Sequence, residues 1–175
     1  MPTREGAIAL MRSVGCADYV VAHCEAVEEL AVRIARRCGA DQRLVSVGAL
    51  LHDIGRSRTH GMSHAIAGAR LAMELGLPER IARIIERHIG AGLTASEARA
   101  LGLPSKSYIP KTLEEKIVAH ADNLVGTLKS PTKRIASKQA AERLLKNGTR
   151  GGAKRLIALH KELSKKCGID LDELD

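Results

Sequence analysis

The scarcity of aromatic side chains is the feature that most restricts how this chain can fold. Its 175 residues include no Phe and no Trp, and its only tyrosines are Tyr19 and Tyr108. The core must therefore consist of Leu, Ile, Val, Ala and Met, a composition that favours helices packed closely through small side chains. A chain of this length can bury enough surface to form one domain with a substantial core.

Apolar residues recur at helical spacing along nearly the whole chain, and no segment shows the alternation that marks a β-strand. Thr94 and Thr112 are each followed three residues later by Glu, a pattern typical of the first turn of a helix. We predict helices over residues 2–14, 18–37, 41–55, 63–76, 78–90, 94–102, 112–124, 132–146 and 152–166, with a break at Pro131. The fold class is therefore predicted to be all-α, a single helical bundle.

Positive charge is concentrated near the C-terminus. Residues 129–166 contain twelve Lys and Arg against two Glu, whereas the rest of the chain holds sixteen basic and eighteen acidic residues. We therefore divide the chain into a helical domain over residues 1–128 and a basic helical extension over residues 129–175, packed on the domain or appended to it. Such an extension can attract phosphate groups, including RNA through residues 129–166, but a solvated helical face would have the same composition.

No run of the sequence reaches the ~18 apolar residues that a membrane-spanning helix needs, and no signal-peptide pattern opens the chain. We therefore expect a cytoplasmic protein without a membrane partner. The cysteines form neither a C-x-x-C pair nor zinc-ribbon spacing, so we expect reduced thiols that fill space within the helices. They are Cys16, Cys24, Cys38 and Cys167.

Histidine and aspartate side chains interrupt segments that are otherwise apolar. Asp53 follows His52 at the end of an apolar helix. A buried carboxylate is costly unless its charge is compensated, and a metal cation that is also bound by imidazoles provides that compensation. We therefore expect a metal site around this pair. Of the remaining histidines, His120 is expected to be structural, and His160 is expected to be exposed in the basic extension.

These residues carry a resemblance to a known family. Six histidine and aspartate residues follow one another along the chain in an order that resembles the signature of the HD superfamily of metal-dependent phosphohydrolases. The run at residues 50–55 resembles the H-D-I-G form of that motif, and residues 63–69 resemble the H-A-x-x-G-A segment of members with two metals. The matching positions are His23, His52, Asp53, His64, His88 and Asp122. The resemblance covers residues 20–125.

The resemblance implies a set of ligands and substrate contacts within residues 1–128. It assigns His23, His52, Asp53 and Asp122 to one metal ion, and His64, His88 and the bridging Asp53 to a second. One or two divalent ions per chain are implied, with iron or manganese favoured. Arg56 stands where many relatives have Lys, so we expect it to contact a substrate phosphate. His60, in the same loop near the site, is also expected to contact the substrate.

The function implied by the resemblance is a metal-dependent phosphohydrolase that acts on a nucleotide or another phosphate ester through a metal-activated water. Asp53 and Arg56 would be its catalytic residues. Whether the substrate is a monoester or a diester stays open, as do two other functions: a diiron oxygenase of the same superfamily, and an RNA- or nucleotide-binding module with a structural metal. A zinc peptidase is excluded, because Gly61 stands where the H-E-x-x-H motif requires Glu.

Overall fold

The computed structural model describes residues 1–126, 130 and 132–174. Within these residues the chain forms nine α-helices and no strand, so the predicted all-α class is confirmed. The helices are α1 (Arg4–Ser13), α2 (Asp18–Cys38), α3 (Gln42–Leu51), α4 (His64–Glu74), α5 (Glu79–Glu86), α6 (Ala95–Ala100), α7 (Leu113–Leu124), α8 (Ser137–Lys146) and α9 (Arg150–Cys167). Short 3₁₀ helices cover Ile54–Ser57 and Leu171–Glu173. The predicted domain boundary after residue 128 and the break at Pro131 lie outside the described residues.

Local sequence signals start and stop these helices as expected. Thr94 and Thr112 both form complete capping boxes, in which the threonine side chain and the Glu three residues later satisfy each other's backbone amides. Gly39 ends α2 in the left-handed conformation, with φ at 72°, a region that costs glycine little. Pro78 precedes α5 as its N-cap, one position before the predicted place.

The core forms around α2, α3 and α7, which pack against one another at the centre of the bundle. The long α2 buries a stripe of side chains at helical spacing, among them Val20, Val27 and Ile34. The C-terminal helices contribute to the same core, because Leu156 and Leu163 of α9 are fully buried in it. Each such leucine stabilises the fold by about 2 kcal/mol through removal from water. The helix α9 is therefore packed on the bundle. No described helix is both long enough and apolar enough to cross a membrane.

One predicted helix start is wrong. The helix expected from Thr132 begins at Ser137, because the preceding residues pair with the end of α7: Val125 and Arg134 form an antiparallel bridge. The start of α8 is then capped by a distant residue, since the Asp172 carboxylate accepts hydrogen bonds from the backbone amide and hydroxyl of Ser137 at 2.8 and 2.7 Å.

The prediction of four reduced cysteines is wrong for two of them. Cys38, at the end of α2, and Cys167, at the end of α9, form a disulfide across 129 residues of sequence. Cys16 and Cys24 are free and buried, as expected. A disulfide is decided by which helix ends meet, and the sequence spacing of cysteines carries no information on a contact between elements so far apart.

The prediction that His160 is exposed is also wrong. His160 is buried, and its Nε2 lies 2.9 Å from the Asp170 carboxylate. Its Nδ1 lies 3.1 Å from Nε2 of His120, which is fully buried on α7. Because the carboxylate can only accept, His160 donates to Asp170 and accepts from His120. Burial, followed by repulsion from His160, lowers the pKa of His120 to about 3.

This pKa predicts that acid destabilises the fold through His120. Between pH 6.5 and about 3 the native imidazole stays neutral, whereas in the unfolded chain it takes up a proton, so protons favour unfolding. Its contribution to the free energy of unfolding should fall by up to ~1.4 kcal/mol for each pH unit below 6.5. Urea unfolding at pH 7, 6 and 5 measures this contribution when wild type is compared with His120→Gln, which can still donate a hydrogen bond but does not titrate. A stability difference between the two that is independent of pH would contradict the prediction.

Candidate metal centre

The structure brings the six residues that were predicted as metal ligands into one cluster. They come from the ends and starts of five helices: His23 on α2, His52 and Asp53 at the end of α3, His64 at the start of α4, His88 just after α5, and Asp122 near the end of α7. His88 had been predicted inside a helix, but α5 ends two residues earlier. Asp122 is partly exposed and the other five are buried. That these side chains bind metal stays a prediction.

One half of the cluster is centred on Asp122. Nε2 of His23 lies 3.0 Å from Oδ1 of Asp122, and Nε2 of His52 lies 3.5 Å from the same oxygen. The three residues offer ligand atoms that all lie within 4.8 Å of one another. Two imidazoles and a carboxylate at this spacing form a donor set that suits a transition-metal cation.

The other half is centred on Asp53. Its Oδ1 lies 3.1 Å from Nε2 of His64 and 3.5 Å from Nε2 of His88. Its Oδ2 points the other way, 3.8 Å from Nε2 of His52 and 2.6 Å from Nε of Arg56. The carboxylate therefore presents one oxygen to each half of the cluster, which is the position that a bridging ligand requires.

Hydrogen bonds of the same type orient three of the imidazoles. Nδ1 of each lies 2.7–2.8 Å from the backbone carbonyl three residues earlier, of Ala49, Gly61 and Ile85 respectively. Because a carbonyl only accepts, Nδ1 carries the proton in every case and Nε2 is left with a lone pair. The three histidines are His52, His64 and His88. This tautomer and orientation are those of metal-binding histidines whose second nitrogen is held by the protein.

The lone pairs that result are poorly satisfied by the protein alone. Nε2 of His64 and Nε2 of His88 face each other at 3.0 Å, although neither carries a proton in the neutral tautomer. Among the described residues, Nε2 of His52 and Oδ1 of Asp53 are buried without a hydrogen-bond partner. Unpaired acceptors of this kind are costly inside a protein. Cations held in the two halves of the cluster would satisfy these atoms, so the donor set fits a metal.

The electrostatics of the cluster favour an ionised Asp53 and a neutral His88. Burial lowers the pKa of His52, but its acidic neighbours outweigh this effect and raise that pKa well above its usual value. Burial raises the pKa of Asp53, but the charge of His52 and the nearby imidazoles of His64 and His88 outweigh it and hold that pKa well below its usual range. Burial lowers the pKa of His88 and outweighs the attraction of Asp53. Ionised carboxylates and neutral imidazoles are the forms that bind divalent cations.

Two glycines allow His64 to approach Asp53. A Cβ on Gly55 would lie 1.9 Å from the carbonyl oxygen of His64 and 2.5 Å from the amide nitrogen of Gly68. The 3₁₀ turn after Asp53 therefore packs backbone to backbone against α4. Any side chain at Gly55 would push α4, and His64 with it, away from Asp53.

The turn that carries His88 is held by residues that the sequence reasoning missed. The preceding Arg87 donates to both carboxylate oxygens of the buried Glu115 at 3.0 and 2.8 Å. On the other side, Nδ2 of Asn123 donates to the carbonyl of Gly90 at 2.8 Å. Only the capping position of Glu115 was visible in the sequence; the ion pair and the amide contact depend on how α5 and α7 pack.

Of the two residues predicted to contact substrate, only Arg56 touches the cluster. Its side chain is 18% exposed, and it donates from Nε to Asp53. His60 is exposed and, in the part of the chain that the structure describes, makes no hydrogen bond with the cluster. Its contact with substrate stays a prediction. Tyr19, which the sequence reasoning passed over as a site residue, is 39% exposed one helical turn before His23.

The residues of the cluster lie in a segment that is similar to known proteins. The family model described as HD domain matches residues 20–126, a range that contains all six residues of the cluster. The fold resembles the HD domain of the L. monocytogenes phosphodiesterase PgpH, solved in complex with cyclic-di-AMP. The two structures have a TM-score of 0.52 and 19% sequence identity over 85% of this chain and 92% of that one. This likeness concerns the fold.

Relatives in sequence have different names. The chain is 44% identical over 174 residues to a tRNA (cytidine(56)-2'-O)-methyltransferase of Thermoplasma volcanium, covering 99% of this chain and 50% of the relative. It is 47% identical to an uncharacterized protein of Methanocaldococcus jannaschii, covering 91% and 96%. A Ribonuclease Y of Thermobifida fusca is 36% identical over 58% of this chain and 24% of its own length. The chain thus spans about half the length of the methyltransferase it matches.

The two halves of the cluster predict a change in metal content. We expect wild type to bind two divalent ions per chain, and His88→Gln to bind about one, because the half centred on Asp122 stays intact. Elemental analysis after reconstitution with Mn²⁺ measures this, and thermal unfolding with and without chelator reports the stabilisation that bound metal provides. The control His60→Gln, which removes an exposed imidazole, should retain both ions. Equal metal content in wild type and His88→Gln would contradict the assignment of His88.

Proposed function

Because the chain belongs to the HD domain family, we propose that it is a metal-dependent phosphohydrolase that acts on a nucleotide or another phosphate ester. The observation that carries this proposal is the convergence of four imidazole nitrogens and two carboxylates in one largely buried cluster. The names of two similar proteins support it, since a phosphodiesterase and a ribonuclease both cleave phosphodiester bonds.

The assignment of ligands follows the two halves of the cluster. His23, His52, Asp53 and Asp122 would hold one ion, and His64, His88 and Asp53 would hold the other. Iron or manganese suits these nitrogen and oxygen donors. When bound, such ions supply an activated water and positive charge against a phosphate oxygen. The chain itself orients three of the imidazoles through the carbonyl bonds of Nδ1, and it places the two oxygens of Asp53 between the halves.

Arg56 is suited to hold the substrate phosphate. Its Nε is engaged with Asp53 at 2.6 Å, while its Nη atoms make no hydrogen bond among the described residues. The contact with Asp53 fixes the plane of the guanidinium, and the remaining donors can pair with phosphate oxygens. Arg56 would thus offset negative charge on the phosphate as it reacts.

Hydrolysis of a defined panel tests the proposal. We expect Mn²⁺- or Fe²⁺-loaded protein to release phosphate or nucleotide from at least one member of a panel of nucleoside monophosphates, cyclic nucleotides and short RNA. The variant Asp53→Asn should lower kcat on the order of 100-fold or more, because it weakens both halves of the cluster. The matched control Glu74→Gln makes the same carboxylate-to-amide change on the exposed end of α4 and should leave kcat unchanged.

Two outcomes would contradict hydrolysis. No turnover of any panel member with a fully loaded cluster would leave a binding module with a structural metal. Turnover that requires molecular oxygen, measured by running the panel with and without it, would point to the diiron oxygenase.

Tyr19 supports a nucleotide as the substrate. It is 39% exposed and lies on the same face of α2 as His23, four residues earlier, so we expect its ring to lie beside the cluster. The other tyrosine, Tyr108, is buried and donates its hydroxyl to a backbone carbonyl. An exposed aromatic ring next to a phosphate-binding cluster can stack on a nucleobase, an interaction worth about 1–3 kcal/mol.

This stacking predicts a selective loss of affinity. The variant Tyr19→Ala should raise KM for the best nucleotide of the panel roughly 5- to 100-fold, the equivalent of one lost stacking contact. KM for the corresponding sugar phosphate without a base should not change, and neither should kcat. Steady-state kinetics on both substrates measures the effect, and Tyr19→Phe should behave as wild type. An equal rise in KM for both substrates would contradict base stacking.

RNA is a second class of partner that a specific observation favours. The relative named as a tRNA methyltransferase aligns over 99% of this chain, and the basic residues of the chain are concentrated in its C-terminal part, where α8 and α9 lie. We propose that the C-terminal helices contact RNA. The RNA would be either the substrate itself or the molecule to which the substrate group is attached.

A further inference from the structure

Four cations form a straight line along α9. Successive residues of an α-helix are rotated by about 100°, so these four positions fall within an arc of about 60° on one side of the helix. The first and last are separated by fifteen residues, or ~22 Å along the axis. All four are exposed. They are Arg150, Lys154, Lys161 and Lys165, and are called the α9 stripe below.

The charges of the stripe are not neutralised by the protein. In the described ranges, no salt bridge or side-chain hydrogen bond engages any of its four residues, and no acidic residue lies within the arc. Other charged residues of the same helix behave differently. Arg155 pairs with Glu97 at 2.7 Å, and Glu162 pairs with Lys116 at 2.6 Å, both on the flank of α9 that faces the bundle.

The helix that carries the stripe is firmly held. Its opposite side is buried in the core through Leu156 and Leu163, and its end is joined to α2 by the disulfide of Cys167. Arg155 also donates to the carbonyl of Gly92 at 2.9 Å. The four cations therefore project from a rigid support, which reduces the entropy lost when they bind an extended anion.

We propose that the α9 stripe binds the phosphate backbone of a structured RNA, an inference that rests on the proposed RNA partner and assigns its docking surface. A row of unpaired cations on a rigid helix is complementary to a regularly charged backbone. A helix that binds anionic membrane inserts large apolar side chains beside its cations, whereas no apolar residue of α9 falls within this arc and the exposed apolar residue at its border is the small Ala158. Single-strand binding by base stacking needs aromatic rings, and α9 has none. Helical RNA, read through its backbone, fits the surface best.

Removal of three charges tests the stripe. The stripe variant Lys154→Gln, Lys161→Gln, Lys165→Gln should bind a labelled tRNA transcript at least about tenfold more weakly than wild type in fluorescence anisotropy at 100 mM KCl. The slope of log affinity against log salt should also become shallower by about 0.7–0.9 for each lost contact. Both values are measured on metal-loaded full chain.

A matched variant separates the stripe from net charge. Arg36→Gln, Arg99→Gln, Lys111→Gln removes the same charge from exposed positions on α2, on α6 and before α7, and should bind the transcript nearly as wild type does. Both variants should hydrolyse the small nucleotide probe as wild type does, so a failure of RNA docking is distinguishable from a failure of hydrolysis. Equal loss of RNA binding in the two variants would overturn the proposal. So would unchanged RNA binding by the stripe variant, including the case in which it loses only its affinity for phosphatidylserine vesicles.

Discussion

The hydrogen bond from Nδ1 of an imidazole to the carbonyl three residues earlier is the interaction on which the centre of this molecule depends. It occurs at His52, His64 and His88, each of which lies where a helix ends or begins. The carbonyls of Ala49 and Ile85 lie in the last turn of a helix and lack partners within it, so at His52 and His88 the same bond satisfies the backbone and fixes the tautomer of the ring. The three Nε2 lone pairs are then forced to point inward, towards Asp53.

Most of the surrounding packing keeps those helix ends together. The close approach at Gly55 and Gly68 brings α4 to the end of α3, and the pair of Arg87 with Glu115 fastens the turn after α5 to the start of α7. The protein thereby holds like-charged or unprotonated groups closer than they would lie in solution. Burial of the aliphatic core beneath the cluster offsets the free-energy cost of this arrangement. A cation bound among these groups would lower that cost.

The extent to which the sequence predicted this structure depends on the range of each interaction. Helix positions and the capping boxes of Thr94 and Thr112 are local, and periodicity with short motifs located them. The order of the histidine and aspartate residues also located the cluster, because those residue types stand out in an apolar background. The predictions that failed depended on distant partners. The bridge between Val125 and Arg134 delays the start of α8, which Asp172 then caps. His160 is buried where it contacts His120 and Asp170. No window of the sequence around Ser137 or His160 contains that information.

The disulfide between α2 and α9 closes a large part of the chain into a covalent ring. The chain from Cys38 to Cys167 forms a covalent ring, and five of the six residues of the cluster lie on it; only His23 is outside. A single break of the backbone anywhere in that ring leaves both pieces attached to each other and to the core. A molecule cleaved once within the ring would therefore release no fragment. Its helices could pack together again after local unfolding. The centre is therefore protected from one cut by its connectivity as well as by its burial.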